Sequence, residues 1–321
     1  VFMEGPTSWS EGIATDVLPD LVLLFLMGAF LHLFGFVLNE WADVEIDRAS
    51  QDLQDKPLVS GEISVDEAKW TAIAAAACTF IPLALITLDP LPHMSLLGSI
   101  LLAAAYDIWG KRLPLDILLA GSITLLFLAG ASALGDFDPT YWRHITLLAC
   151  IGGLQYLQNL YQNAIEGGIK DADHDHAAGA RTFAAILGVR LDDMGELQTG
   201  RAFTTSAIFM KGIQITLLLY TSVEVTALSD AGSSTLLWAI LTFAIAVMVV
   251  TTGMMLPPVA FDRSRLKRIF SIHELATFAA IMTVIVPLLG EWVAFGLFIL
   301  PMVWFMVVNR VLFGGSLEPG V

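Results

Sequence analysis

The chain has 321 residues, 56% of them apolar and only 15% charged, with 31 acidic against 16 basic side chains and a formal net charge of −15. This composition excludes a disordered or fibrous chain and an ordinary soluble enzyme, and the acidic balance excludes a nucleic-acid binder that works by neutralising phosphates. The two cysteines, Cys78 and Cys150, lie inside apolar runs and offer neither a disulfide framework nor a thiolate metal site.

Residues 1–16 are too polar to cross a bilayer and lack the basic start of a signal peptide. Beyond them, a hydrocarbon core about 30 Å thick needs about 20 apolar helical residues to span it. Nine stretches approach that length, at 18–38, 69–88, 91–106, 115–134, 142–163, 203–223, 236–256, 272–289 and 293–313, the third being the shortest. The expected fold is therefore all-α, a polytopic membrane helix bundle of about nine transmembrane helices forming a single domain over 1–321. Alternating spans assign each loop to one membrane side, and 14 of the 16 Lys and Arg residues then fall on one side. By the positive-inside rule that side is cytoplasmic. Arg143 falls on the other side, and Lys211 lies inside a span, where it is expected to snorkel toward the cytoplasmic interface.

The carboxylates cluster. Nine lie between residues 39 and 68 and seven between 164 and 202. Four spans separate the clusters, so both are expected on the same, cytoplasmic, face, close enough to share a ligand. In the first cluster Asn39, Asp43 and Asp47 recur every four residues and stack on one helical face. Like charges at that spacing repel, and more so near a low-dielectric core, so a cation should neutralise them. Mg²⁺ fits, because it takes oxygen ligands, often only one or two carboxylates, and completes its shell with water and phosphate oxygens. The second cluster repeats the spacing at Asp171 and Asp175, with Asn163 two turns upstream on the same face if the helix continues through Gly167 and Gly168. Glu166 and Asp173 would point elsewhere. The plain alternative is that both clusters are solvated helix ends of an acidic protein.

Asn39-x₃-Asp43-x₃-Asp47 followed by Lys56-Pro57-Leu58-Val59-Ser60-Gly61 resembles the first aspartate-rich motif of the UbiA superfamily of membrane prenyltransferases. Asp171-x₃-Asp175, with Gly179 and Arg181-Thr182 trailing, resembles the second, and Tyr106 with Lys111-Arg112 resembles the basic loop between them. The likeness runs from about residue 18 to 225. It implies a helical bundle around a central cavity that binds a polyprenyl diphosphate, such as geranylgeranyl diphosphate, through Mg²⁺ and moves its prenyl group to a lipophilic acceptor.

The resemblance further implies that Asn39, Asp43 and Asp47 hold one Mg²⁺ and that Asp171 and Asp175 hold a second, the four aspartates being the catalytic set. Lys111, with Arg112 beside it, would grip the diphosphate, and Arg48, Lys56 and Lys170 are the further cations expected there. Tyr106, Tyr156, Tyr161 and Asn163, together with Trp109, are candidates to line the pocket, where an aromatic ring attracts a desolvated cation by about 1–2 kcal/mol. Ordinary bundle packing or an interfacial aromatic belt would also account for the rings.

The sequence departs from that family's pattern in reading Asn39-Glu40 in place of Asn-Asp and in carrying Asp52 where an Arg is often found. The family's span before the first motif is not visible, and four spans follow the second motif where three are usual. These departures imply a truncated sequence or a divergent branch with an added C-terminal helix.

The run 261–270 concentrates four basic residues on the cytoplasmic face and reads as an anionic-lipid contact or topology anchor. His273 and Glu274 after it suit a polar first helical turn, or an acid/base pair, and His174 and His176 suit an exposed loop. The acid excess left after subtracting the motifs suits high-salt surroundings, which points to a halophilic, archaeal source. Two rival functions remain at this point. A CDP-alcohol phosphotransferase would need a D-x-x-D-G-x-x-A-R pattern, which is not found. A divalent-cation or organic-ion transporter would place such carboxylates near mid-membrane rather than at span ends.

Overall fold

The computed structural model describes residues 18–49, 53–134, 142–192, 194–228, 234–256 and 259–313. The polar segment 1–16 and Asp52 lie outside the described residues. The chain divides into two compact units, Val1–Tyr141 with Ala178–Phe183, and Trp142–Ala177 with Ala184–Val321.

In the N-terminal unit the helices are α1 (Leu18–Ala49), the short α2 (Pro57–Ser60), α3 (Val65–Cys78), α4 (Phe80–Ile86), α5 (Pro90–Trp109) and α6 (Asp116–Leu134). A reciprocal capping box starts α3. Ser64 Oγ accepts from the Glu67 N–H at 3.2 Å, and Glu67 Oε2 accepts from the Ser64 N–H at 2.8 Å. Ala68, Ala72 and Ala75 form its buried stripe, and small residues at that spacing let two membrane helices approach closely. Ala72 and Ala75 pack with Met27, Leu31 and Phe34 of α1, Leu83 of α4, Leu96, Ile100 and Ala103 of α5 and Ala129 of α6. A smaller cluster of Val44, Leu58 and Ala68 pins the C-terminal end of α1, so the helix turns that carry the first carboxylates are held from behind.

The C-terminal unit begins with α7 (Trp142–Tyr161). A π-helical turn at Gln162–Gly167 follows, then the short α8 (Gly168–Lys170), α9 (Ala172–Ala178) and α10 (Phe183–Ile186). The long helices α11 (Arg201–Leu228), α12 (Thr235–Met255), α13 (Arg263–Leu289) and α14 (Glu291–Phe313) complete it. Leu154, Leu218, Val225, Leu241, Met248, Ala280 and Val284 form its core. Three strands that the sequence did not announce, β1 (Arg190–Leu191), β2 (Glu196–Gln198) and β3 (Val259–Ala260), make an antiparallel sheet in that order. Its registers pair Leu191 with Leu197 and Leu197 with Val259. Asp192 belongs to this turn, because its Oδ1 accepts from the N–H groups of Glu196 and Met194, both at 2.9 Å. The Glu196 N–H foremost among these bonds holds the Asp192 carboxyl below the usual carboxylate range.

Seven helices among the described residues are long and apolar enough to cross a membrane: Leu18–Arg48, Val65–Ile86, Pro90–Trp109, Asp116–Leu134, Arg201–Ala227, Thr235–Met255 and Arg263–Leu289. The expected count of nine is not confirmed among the described residues. The other two candidates are helical, but α7 carries Gln155, Gln158 and Asn159, and only Glu291–Leu300 of α14 counts as a shorter apolar helix. Exposed Phe25, Phe36, Leu85 and Phe243 give the long helices an apolar outer surface. Polar side chains within the long helices turn back on their own backbone. Thr124, Thr221, Thr242 and Thr283 donate to the carbonyl four residues earlier, as do the Asn159 and Asn163 amides.

Gly168 is required by packing, since a Cβ there would overlap the Cβ of Ala184. Gly168→Ala is expected to cost about 1–3 kcal/mol, the usual penalty of overpacking. Thermal unfolding in detergent checks this, and an unchanged midpoint would refute it.

Candidate functional site

The first motif forms a charged cluster on the last turns of α1. Lys56, just before α2, donates to Asp47 Oδ2 at 2.9 Å and to Glu40 Oε1 at 3.0 Å. Glu40 and Asp47 are seven residues, two helical turns, apart, so one ammonium ties together the two ends of the motif face. Half-burial alone would lower the Lys56 pKa, but the hydrogen bonds to Asp47 and Glu40 outweigh it and the net shift is upward. Stability from this bridge is present in full below the ordinary lysine value and is lost as pH rises through the raised one.

Asp43 lies between these partners and feels Lys111 and Lys56 as opposite charges and Asp47 and Glu40 as like charges. Asn39 donates to the carboxylate of Asp107, a buried residue near the end of α5 whose Oδ2 has no hydrogen-bond partner among the described residues. Asp107 also feels the charge of Asp43. The sequence reading missed Asp107. Its only signal was an acidic residue directly after the apolar stretch 91–106, four positions before Lys111.

The basic loop after α5 belongs to the same unit. Lys111 is partly buried and Arg112 exposed, and the Arg181 N–H donates to the Lys111 carbonyl at 3.0 Å. The tail of the second motif is thereby joined to this loop. Gly61, closing α2, and Gly179, in that tail, both take positive φ (82° and 63°), which a side chain resists. Tyr106 is half-buried, and its carbonyl accepts from the Gly110 N–H at 2.6 Å. Arg48 stands apart, because it pairs with Glu45 at 2.7 Å on an exposed face.

The second motif belongs to the C-terminal unit. The helix does continue through Gly167 and Gly168, by way of a π turn that ends at Gly167. Regular helix ends at Lys170, and Asp171 caps it with φ −100° and ψ 13°. Asn163 is turned to the Asn159 carbonyl at 2.8 Å, so the face expected to align it with Asp171 is interrupted by the wider turn. Lys170 Nζ is 3.7 Å from Asp171 Oδ1. Asp173 is bound instead by Arg263 of α13, Nη2 to Oδ1 at 2.6 Å, with His174 beside the guanidinium at 3.4 Å. Lys267, one turn on, feels Lys170, Arg263 and Asp171, while Arg265 and Arg268 are exposed. The basic run at 261–270 is thus divided between the motif and the surface.

Deeper in this unit lies a polar network the sequence misread. Lys211 does not snorkel. It is 3% exposed, its Nζ lies 3.8 Å over the Tyr161 ring, and it donates to Gln214 Oε1 at 2.6 Å. Gln214 donates to Gln158 Oε1 at 2.8 Å, and Gln158 donates to Glu274 Oε2 at 2.6 Å. His273, fully buried, stacks on Tyr161 with ring centroids 5.2 Å apart. His273 and Glu274 therefore face the core, well past the first turn of α13. Tyr161 is occupied by a protein cation, and Tyr156 is half-buried.

Among the described residues no three His, Cys, Asp or Glu side chains form a group that could hold a metal ion by themselves. Mg²⁺ needs only one or two carboxylates when phosphate oxygens and water fill the remaining positions, and the buried, unpartnered Asp107 Oδ2 beside Asp43 belongs to such a hard oxygen set.

The curated relatives match over part of their length. The chain is 31% identical over 143 residues to a 4-hydroxybenzoate octaprenyltransferase of Neisseria meningitidis, covering 43% of this chain and 47% of that protein. It is 32% identical over 183 residues to a digeranylgeranylglyceryl phosphate synthase of Methanoculleus marisnigri, covering 56% and 61%. Two solved structures share the fold. A UbiA homolog from Archaeoglobus fulgidus bound to GPP and Mg²⁺ has a TM-score of 0.57 at 20% identity over 83% of this chain and 88% of that one. The apo UbiA homolog from Aeropyrum pernix has a TM-score of 0.61 at 19% identity, covering 85% and 90%. Residues 5–252 match the UbiA prenyltransferase family itself. With its long apolar helices and both aspartate motifs within that stretch, the protein is an integral membrane member of the UbiA prenyltransferase family.

Proposed function

We propose that the protein is a Mg²⁺-dependent prenyltransferase that takes a polyprenyl diphosphate from the bilayer and passes its prenyl group to a lipophilic acceptor, with its motif loops on the cytoplasmic side. The observation that carries this reading is the gathering of Asp43, Asp47 and Asp107 with Lys56 and Lys111 at the ends of two apolar helices. Oxygen ligands and cations there match a metal-bound diphosphate.

Asp43 and Asp47 would hold one ion and Asp171 and Asp175 another. Bound there, Mg²⁺ supplies positive charge to the departing diphosphate oxygens. Lys111 and Lys56 would add fixed charge to the leaving group, with Arg112 next to Lys111 in the same loop and Lys170 next to Asp171 in the second motif. Lys56 pairs with both Glu40 and Asp47, so Glu40, which stands in place of the usual aspartate, shares its cation with the motif. Arg48, paired with Glu45, takes no part in this reading. The names of the relatives support an aromatic or a glycerol-phosphate acceptor; a carotenoid end group is the third candidate.

Detergent-solubilised protein incubated with Mg²⁺, radiolabelled geranylgeranyl diphosphate and an acceptor panel tests the proposal. Prenylated product from one acceptor class, abolished by chelating Mg²⁺, is the expected result. Mg²⁺-independent turnover, or no transfer to any class, would overturn it.

A further inference from the structure

Asp107 lies outside both aspartate motifs, yet it is only 9% exposed and its Oδ2 has no hydrogen-bond partner among the described residues. A bare carboxylate oxygen at that depth is costly and calls for an explanation. The helix period dictates where it lies. Leu96, Ile100, Ala103 and Asp107 follow one another at steps of three and four residues along the buried stripe of α5. The first three of them pack in one cluster with Met27, Leu31 and Phe34 of α1. The stripe carries Asp107 one turn further along the same interface, where it meets Asn39 and Asp43 of α1. An apolar side chain at this position would extend the packing, and an acid stands there instead.

The neighbouring acids commit their oxygens differently. Glu40 and Asp47 each give one to Lys56. Asp43 is drawn to Lys111 and Lys56 by charge. Asp107 feels Asp43 as a like charge, and the hydrogen bond from Asn39 is the attraction that opposes it. That bond fixes the amide. An ionised carboxylate only accepts, and an amide carries its donors at one end and its acceptor at the other. With an N–H given to Asp107, the Asn39 carbonyl oxygen is directed away from that carboxylate and left for a partner of its own. Asn159 and Asn163 provide the contrast, because each donates to the carbonyl four residues back on its own helix. For Asn39 that carbonyl belongs to Gly35, and Asn39 donates across to α5 instead.

We propose that Asp107 is a positioning residue for the first metal site, holding the Asn39 amide so that its carbonyl oxygen serves as a ligand for the ion held at Asp43. The role of that site rests on the function proposed above. Mg²⁺ takes carboxylate oxygens and has no use for an amide N–H, so an amide turned the other way would put a donor where a ligand is needed. Outer partners of this kind set the orientation of metal ligands and tune their affinity. The unpaired Oδ2 fits the same role. A divalent ion is the largest local charge in such a site, and its attraction to both acids offsets the repulsion between Asp43 and Asp107.

The test uses the full chain in detergent, with Mn²⁺ binding read by electron paramagnetic resonance without diphosphate. Asp107→Ala is expected to weaken binding about 10-fold or more, the usual effect of losing an outer-shell partner. The metal-free thermal midpoint is expected to hold, since a buried oxygen without a partner is removed and the Asn39 amide can turn back to the Gly35 carbonyl. A purely structural role gives the reverse, a lowered midpoint with unchanged Mn²⁺ affinity, and that result overturns the proposal. A double-mutant cycle with Asn39→Ala isolates the route by which Asp107 acts. In the Asn39→Ala background, Asp107→Ala is expected to cost no further affinity. The same loss there as in the wild type would show that Asp107 acts by its charge alone, which also overturns the proposal. If the alanine variant does not fold, Asp107→Leu, which fills the same space with apolar groups, is held to the same expectations. Asp43→Asn separates the two readings. If that variant releases diphosphate at the wild-type rate, the proposed function itself fails, whereas an inactive Asp43→Asn with unshifted Mn²⁺ binding in Asp107→Ala removes this inference alone.

Discussion

Asp43→Asn is expected to lower diphosphate release and prenyl transfer by about 10²–10³-fold, the scale on which loss of one preorganised electrostatic partner acts, with little change in thermal midpoint. The substitution keeps the shape of the side chain and removes one negative charge from a face where Glu40, Asp47 and Asp107 remain. Relief of repulsion among these acids offsets the lost attraction to Lys111, which is why stability should hold while activity falls. Asp171→Asn is expected to behave in the same way through the second pair. Diphosphate release at the wild-type rate in either variant would remove that aspartate from the reaction.

Lys211→Met is expected to destabilise the protein by about 3–5 kcal/mol, the range for removing one member of a buried charged group and leaving the rest uncompensated. Lys211 is separated from Glu274 by two glutamines whose amides all run the same way, ammonium to carbonyl, amide to carbonyl, amide to carboxylate. Aligned dipoles in a low-dielectric interior reinforce each other, so loss of the cation weakens every link after it. Gln214→Leu, which cuts the chain but leaves both charges, should fall between wild type and Lys211→Met. Lys211→Met combined with Glu274→Gln should recover part of the loss. Thermal unfolding in one detergent across the wild type, these variants and the Glu274→Gln single variant reads these outcomes, and strictly additive single effects would show that lysine and glutamate are not coupled.

The first motif was legible because its chemistry repeats with the period of one helix, so Asn39, Asp43 and Asp47 fall on one face whatever surrounds them. Lys56 was within reach of the same reasoning as a nearby cation, but its choice of Glu40 and Asp47 depends on how α2 turns back over α1. Lys211 was misread because sequence gives its depth along a helix and not the direction in which it points. The network it joins draws on α7 with its π turn, α11 and α13, and no local pattern announces three distant segments meeting. Asp107 was hidden for a similar reason, since its meaning comes from Asn39 and Asp43 on another helix. The three-stranded sheet escaped because strands of two or three residues carry no periodicity.

The threonines and asparagines that donate to their own helix bear on how this protein is solvated. Hydropathy scores treat each such residue as if it still needed water. A threonine whose proton already serves the carbonyl one turn back offers the lipid its methyl group, and an asparagine bonded in the same way has placed one of its two amide hydrogens before meeting any neighbour. Helix α7, which apolarity alone leaves off the list of spans, is therefore better suited to hydrocarbon than its letters suggest.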